Sequence, residues 1–358
     1  MNLKISKLEA IFLILIVMIN KILLNIPKEI IKQSETGSPA NIIFTTILTL
    51  IITLIICKLF QKFPNEDIID ISQYVGKKPL QIILGTLLLI LFTMIITSVI
   101  YEFTTLLQII YFPNTPLPLI LLIFLGCMGV ANKTGFKSII KTNSVIIPII
   151  LLSLIVIFAG ILKNLNFNRL YPILGQNVKT TFLEGSQNIF AYGGLLYLFF
   201  IVPFLKNKKD FKKVALISML VSGLFLLFTV IILLSTFPFI INSEEIMSMY
   251  LLTRCIELGK FLQRTDAIFI FIWIISAFSY LSISLMFMSN IFGKLTECKE
   301  SRNFSYSFLG IFFAIITLLQ NQTFFKLLST TVYKYSILSI LLLCFIILII
   351  GNIKRKEI

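Results

Sequence analysis

The chain is 358 residues long, 58% hydrophobic and 13% charged, with a mean hydropathy of +0.99. That composition excludes a soluble globular domain, and no polar stretch is long enough to bury a core of its own. The net charge of +15 falls in short basic clusters without an aromatic-interleaved basic face, so no nucleic-acid partner is expected, and the absence of histidine removes His-based triads, imidazole metal sites and histidine proton relays.

Five scattered cysteines, Cys57, Cys127, Cys255, Cys298 and Cys344, form no C-x-x-C pair. They read as small apolar residues in or beside membrane helices. No metal, cofactor or catalytic group is expected.

At about 20 apolar residues per span, ten spans are expected, over 8–31, 41–60, 80–112, 117–131, 144–163, 186–205, 213–237, 266–291, 304–320 and 334–351. Lys4 and Lys7 precede the first run as they would in a signal peptide. Asn20-Lys21 follows in place of a small-residue cleavage site, so the run is retained as a span. Gly37-Ser-Pro39, Pro113-Asn-Thr-Pro116 and Asn321-Gln-Thr323 punctuate the loops.

The first span is interrupted where it should be most uniform, by Asn20 and Lys21 and then Asn25 and Pro27. A lysine near the bilayer centre costs roughly 2.5–3.5 kcal/mol on the mildest insertion scale. Such groups persist where they face protein or a water-filled cavity.

Most of the 31 Lys and Arg fall in alternate loops, which predicts both termini in the cytoplasm. Three connecting segments, Glu66–Val75, Asn177–Glu184 and Glu244–Phe261, alternate polar and apolar residues as interfacial helices do. They are either padding at the lipid surface or, for the outer two, a lid over a cavity.

The chain divides into five plus five spans: a first repeat over 1–163, an outer connecting segment over 164–185, and a second repeat with a short tail over 186–358. In span six, Tyr192, Gly193 and Gly194 interrupt the helix at its middle, about half a chain from Asn20. Two interrupted segments in corresponding halves mark a transporter-type binding site, because broken helices expose backbone groups to a ligand. Close helix packing is the other use of such a glycine pair.

Tyr101-Glu102 in span three brings a carboxylate deep into the membrane, ten residues before Phe112 and about 15 Å along the helix. Lys21 lies at similar depth. Either the two form an ion pair or each reaches water separately. Gln263-Arg-Thr-Asp-Ala-Ile-Phe-Ile-Phe-Ile-Trp273 leads into span eight. There Arg264 and Asp266 mark the interface or fix the helix angle, and Trp273 lies deep enough to be bundle packing.

These residues resemble a known family. Ile22-Leu-Leu-Asn-Ile-Pro27, Glu102, Leu170-Tyr-Pro-Ile-Leu-Gly175 and the Gln263–Trp273 stretch are similar to those of the permease-like B subunit of GerA-type spore germinant receptors. That family is an endospore germination permease branch of the amino acid–polyamine–organocation superfamily. The resemblance covers nearly the whole chain. It implies an all-α polytopic membrane protein with ten transmembrane helices, a 5+5 inverted repeat and a leucine-transporter-type bundle with helices 1 and 6 broken. It also implies a place in the inner membrane of a dormant spore, a small nutrient ligand such as an amino acid, and A and C subunits as partners.

The candidate ligand site comprises Asn20, Lys21, Ile22, Glu102, Tyr192, Gly193 and Gly194, with Tyr101 and Tyr197 as walls. Relatives carry a glycine-rich turn where this chain has Asn20-Lys21-Ile22. Either the Lys21 ammonium takes over part of the recognition or it occupies the pocket. The family's acidic residue in span six is absent here, since Gly194 is followed by Tyr197 with no acid between. A proton-coupled amino acid transporter with Glu102 as proton carrier is the alternative function.

Overall fold

The computed structural model describes residues 4–238, 248–256, 265–298 and 304–355. Helix α1 (Lys7–Leu23) opens on a capping box: Glu9 N–H donates to the Ser6 hydroxyl, and Ser6 N–H donates to the Glu9 carboxylate. Every residue from Leu13 to Leu23 is buried. A helix apolar on all sides belongs in the centre of a bundle, and α1 packs there against α6 (Phe136–Ile161), α8 (Phe211–Thr236) and α10 (Thr265–Thr296).

α1 ends at Leu24 (φ −87°, ψ −100°), and α2 (Ile26–Ser34) follows with Pro27 in its first turn, where proline's missing N–H costs nothing. The interruption of the first span therefore falls at Leu24–Asn25. Asn20 and Lys21 remain in regular helix, because a polar side chain perturbs a helix far less than a proline, here six to seven residues on.

Helices α3 (Ser38–Phe60), α4 (Ile68–Ile110) and α5 (Leu117–Thr134) complete the first half with α6. Gly135, at φ 90°, joins α5 to α6 in a conformation that favours glycine. The expected helix over Glu66–Val75 is the start of α4. It is capped by Asp67, which accepts from Ile69 and Asp70 N–H, and it kinks at Gly76 and Lys77 before the long apolar stretch.

The second half runs through a 3₁₀ segment (Glu184–Tyr192), α7 (Leu195–Ile201), α8, α9 (Ser248–Arg254), α10, α11 (Phe304–Leu319), α12 (Gln322–Leu327) and α13 (Tyr333–Lys354). Of the expected interfacial segments, Asn177–Glu184 holds a π-helical turn over Lys179–Leu183. Glu244–Phe261 is described only in part, by α9, and Gln263 and Arg264 lie outside the described residues.

Among the described residues, eight helical stretches are long and apolar enough to cross a membrane, and α1 and α11 are shorter. On α6 one face, with Ile147, Ile150, Leu154 and Ile157, is buried; the other, with Ile149, Leu152 and Ile155, is more than half exposed. An apolar face of that size is stable only against lipid.

The ends of the bundle are fastened differently. At the end holding both termini, Ile5 pairs with Phe204 and Lys206 through the backbone, and Lys62 donates to the Asn352 carbonyl. Also there, Lys294 near the end of α10 contacts Asp67 at 2.7 Å and Asp70 at 2.6 Å. At the far end the connection between the halves is bolted to α2 and α3. Gln33 donates to the Glu184 carbonyl, Thr36 to that of Pro172, and the buried Asn41 amide to those of Thr181 and Gly185.

Candidate functional site

Three cavities line up from the far end toward the middle of the bundle. The outer one is a vestibule of about 250 Å³, walled by Asn25, Glu29, Tyr101, Glu102, Lys326 and Ser329 among others. Beneath it lies a pocket of about 10 Å³ bounded by Lys21, Asn25, Glu29, Glu102, Ser329 and Tyr333. A second pocket of about 10 Å³ is bounded by Met18, Lys21, Gly193, Gly194, Tyr197 and Tyr280. A cavity needs about 10–15 Å³ to admit a single water, so the two inner pockets are too small for a ligand and, of these three, the vestibule alone has room for one.

Lys21 borders both inner pockets. Its ammonium lies 4.2 Å from the centroid of the Tyr333 ring, a cation–π contact in a desolvated setting. Glu102 meets the side chains of Ser329 and Asn25 and feels the charges of Lys21 and Glu29. Lys21 and Glu102 border one small pocket, while the near partner of the ammonium is an aromatic face.

The glycine pair forms the turn between the 3₁₀ segment and α7. Gly193 (φ −56°) and Gly194 (φ −58°) have right-handed helical backbone. Their value is space. A Cβ on Gly193 would meet the Tyr333 hydroxyl at 2.5 Å and Ile337 at 2.7 Å, and one on Gly194 would meet the Met18 sulfur at 2.7 Å. Gly194 N–H donates to that sulfur at 3.3 Å. The irregularity in this stretch lies in the 3₁₀ segment before the glycines and the turn they make into α7.

Comparison with known proteins bears on this architecture. The profile described as spore germination protein matches residues 4–325. The chain belongs to the spore germination protein family. It is 23% identical over 285 residues to spore germination protein B2 of Bacillus subtilis (strain 168), covering 77% of this chain and 75% of that one. With spore germination protein YndE of the same strain it shares 20% identity over 351 residues, 95% of each chain. The fold resembles that of a Na+-coupled sialic acid symporter in a substrate-bound outward-open state, with a TM-score of 0.62 at 13% identity over 91% of this chain and 76% of that one. The protein is a multi-pass integral membrane permease of the spore germination family and not an enzyme.

Of the residues anticipated for the site, this spore germination protein brings Lys21, Glu102, Gly193, Gly194 and Tyr197 to the inner pockets and Tyr101 to the vestibule. Tyr101 stacks on Phe325 with centroids 4.0 Å apart. Asn20, Ile22 and Tyr192 are fully buried and absent from the walls of these three cavities. Asn20 turns to Ser276 on α10 at 3.4 Å, and the Tyr192 hydroxyl meets Thr46 on α3 at 2.5 Å.

Sequence reasoning missed Tyr333, Tyr280, Ser329 and Met18. Ser329 lies within the π-helical turn Leu328–Val332 and Tyr333 directly follows it, and π-turns within helices are frequent at functional sites. Nothing comparable in the sequence distinguishes Met18 or Tyr280.

Since its hydroxyl faces away from the cavities, Tyr192→Phe is expected to cost about 1 kcal/mol of stability and leave ligand affinity unchanged. Thermal unfolding and ligand titration on the same preparation measure both.

Proposed function

We propose that this protein is the permease-like subunit of a spore nutrient germinant receptor. It would sit in the spore inner membrane with both termini cytoplasmic and act with A and C subunits to trigger germination. Its ligand is a small nutrient, an amino acid above all, held between α1 and the Glu184–Ile201 stretch. Lys21, Glu102, Gly193, Gly194 and Tyr197 form that site in this reading, with Tyr101 at its rim and Asn20, Ile22 and Tyr192 behind it.

In the same reading the bundle is a ten-helix, 5+5 inverted repeat of the leucine-transporter type, with residues 1–163 and 186–358 as halves and 164–185 between them. The symporter-like fold supports it. The observation that carries the functional reading is the convergence of an intramembrane lysine and carboxylate on one closed pocket beneath an open vestibule. Intramembrane ionisable groups placed at a cavity mark ligand or ion pathways. A ligand that prefers one of two bundle arrangements shifts the equilibrium between them, and that shift is the signal.

Proton-coupled amino acid transport is the second reading. A carboxylate at the vestibule floor and the fold of a symporter favour it. Flux separates the two. A receptor in proteoliposomes binds labelled amino acid without accumulating it under a pH gradient. A transporter accumulates it, and Glu102→Gln abolishes the accumulation.

A further inference from the structure

The contrast in size among the three cavities, together with the place of one side chain, rests on the receptor reading and moves the ligand's resting place from the Gly193–Gly194 pocket to the vestibule above it. About 250 Å³ is open in the vestibule, against about 10 Å³ in each inner pocket. The Lys21 side chain forms a wall of both inner pockets, so it stands at the neck between the vestibule side and the Gly193–Gly194 side. Its ammonium is seated on Tyr333, whose hydroxyl lies over Gly193, so one contact pins α1 to α13 across the neck.

The vestibule meanwhile offers charges of both signs around one cavity: Glu29 and Glu102 as acceptors, Lys28 and Lys326 as cations, and Asn25, Gln322 and Ser329 as neutral hydrogen-bonding groups. Tyr101, stacked on Phe325, gives it a rigid aromatic side. Mixed charge around a small polar cavity fits a ligand that carries both a carboxylate and an ammonium. A purely anionic ligand would meet two carboxylates, and a purely apolar one would leave every one of these groups unpaired.

We propose that the outer vestibule is a binding station for one small zwitterion, and that Lys21, seated on Tyr333, is a plug that closes this station off from the pocket at Gly193–Gly194. The ligand's ammonium is met by Glu29 and Glu102 and its carboxylate by Lys326. The inner pocket stays shut because the lysine side chain fills the space a second ligand would take. A carrier needs that passage open; this chain closes it with a residue of its own.

The test is equilibrium binding to the full chain in lipid nanodiscs, using free L-amino acids singly together with their carboxamides and N-acetyl derivatives. One equivalent of a free amino acid is expected to bind, and derivatives blocked at either end are expected not to compete. Glu29→Gln and Lys326→Gln should each weaken binding about tenfold, the loss of one charge-assisted hydrogen bond. Lys21→Ala and Lys21→Met should each admit a second equivalent, and Lys21→Arg, which keeps the cation and its bulk, should not.

Unchanged affinity in both vestibule variants overturns the proposal. So does a single equivalent in Lys21→Ala and Lys21→Met at wild-type melting temperature. If binding is instead lost only in Gly194→Trp, the vestibule station falls and the inner site stands. If the vestibule behaves as described but spores lacking the protein respond normally to the bound amino acid, the receptor reading falls and the station stands. If the wild-type chain binds no amino acid, both are removed.

Discussion

Gly194→Trp is expected to abolish nutrient-triggered germination while the protein remains in the spore membrane at its normal abundance. Even a Cβ at this position comes within 2.7 Å of the Met18 sulfur and 2.9 Å of its Cγ, with Ile14 at 3.6 Å behind. An indole has nowhere to go except between α1 and α7, and it would hold apart the two elements whose contact closes the inner pocket. Gly194→Ala is the control. The Met18 thioether is flexible and can turn aside, so alanine is expected to cost about 1 kcal/mol and to keep the response. Germination assays with immunoblotting of the spore membrane read both variants. A normal response in the tryptophan variant would remove this interface from the mechanism.

Lys294→Met is expected to give the largest loss of stability. Lys294 holds Asp67 and Asp70 together at the end of the bundle that carries both termini, and Asp67 also caps α4. Without the ammonium, two adjacent carboxylates face each other, one of them buried. Breaking such a pair costs about 3 kcal/mol here, at the low end for buried pairs because the Lys294 side chain keeps 32% of its exposure. Thermal unfolding in nanodiscs measures it.

The same cluster sets a pH dependence. Burial pushes the Asp67 carboxyl up to about 6, against the pull of Lys294. A raised folded-state value means that the folded protein binds the extra proton. The stabilisation is therefore complete below about pH 4, the ordinary carboxylate range, and is lost as pH rises through about 6. The difference in melting temperature between wild type and Asp67→Asn should follow that window. A difference that is flat from pH 4 to 7 would contradict it.

Most of the expected apolar runs fall on helices, and among the described residues eight stretches are long and apolar enough to cross a membrane, because the signal for a span is one-dimensional: a run of about 20 apolar residues is long enough whatever surrounds it. The Glu66–Val75 helix was legible for a related reason, since its polar–apolar alternation and the Asp67 cap are local. Lys21 and Glu102 were legible as residues turned toward the bundle interior because charge at that depth is costly wherever the helix packs. The first break was read over Asn20 to Pro27, and the helix stops within that stretch, at Leu24–Asn25: Asn25-Ile-Pro27 decides where it ends, while Asn20-Lys21 marks where it faces a cavity. The role of the glycine pair was open for a deeper reason. Glycine serves both turn and close approach, and only the neighbours Met18 and Tyr333 decide between them.

The sequence by itself determined that this protein lives in a membrane, that it belongs with the spore germination proteins, and that a lysine and a carboxylate lie deep in its bundle. Apolar run length, motif and charge position are properties of the chain alone. Only the tertiary structure decided that Lys21 rests on Tyr333, more than 300 residues away in the chain, that Asn20 and Tyr192 turn to Ser276 and Thr46, and that the open space lies above Lys21 rather than below it. Those facts depend on which helix faces which. In a bundle where almost every helix is apolar all round, hydrophobic pattern carries little information about facing, and side-chain packing supplies it.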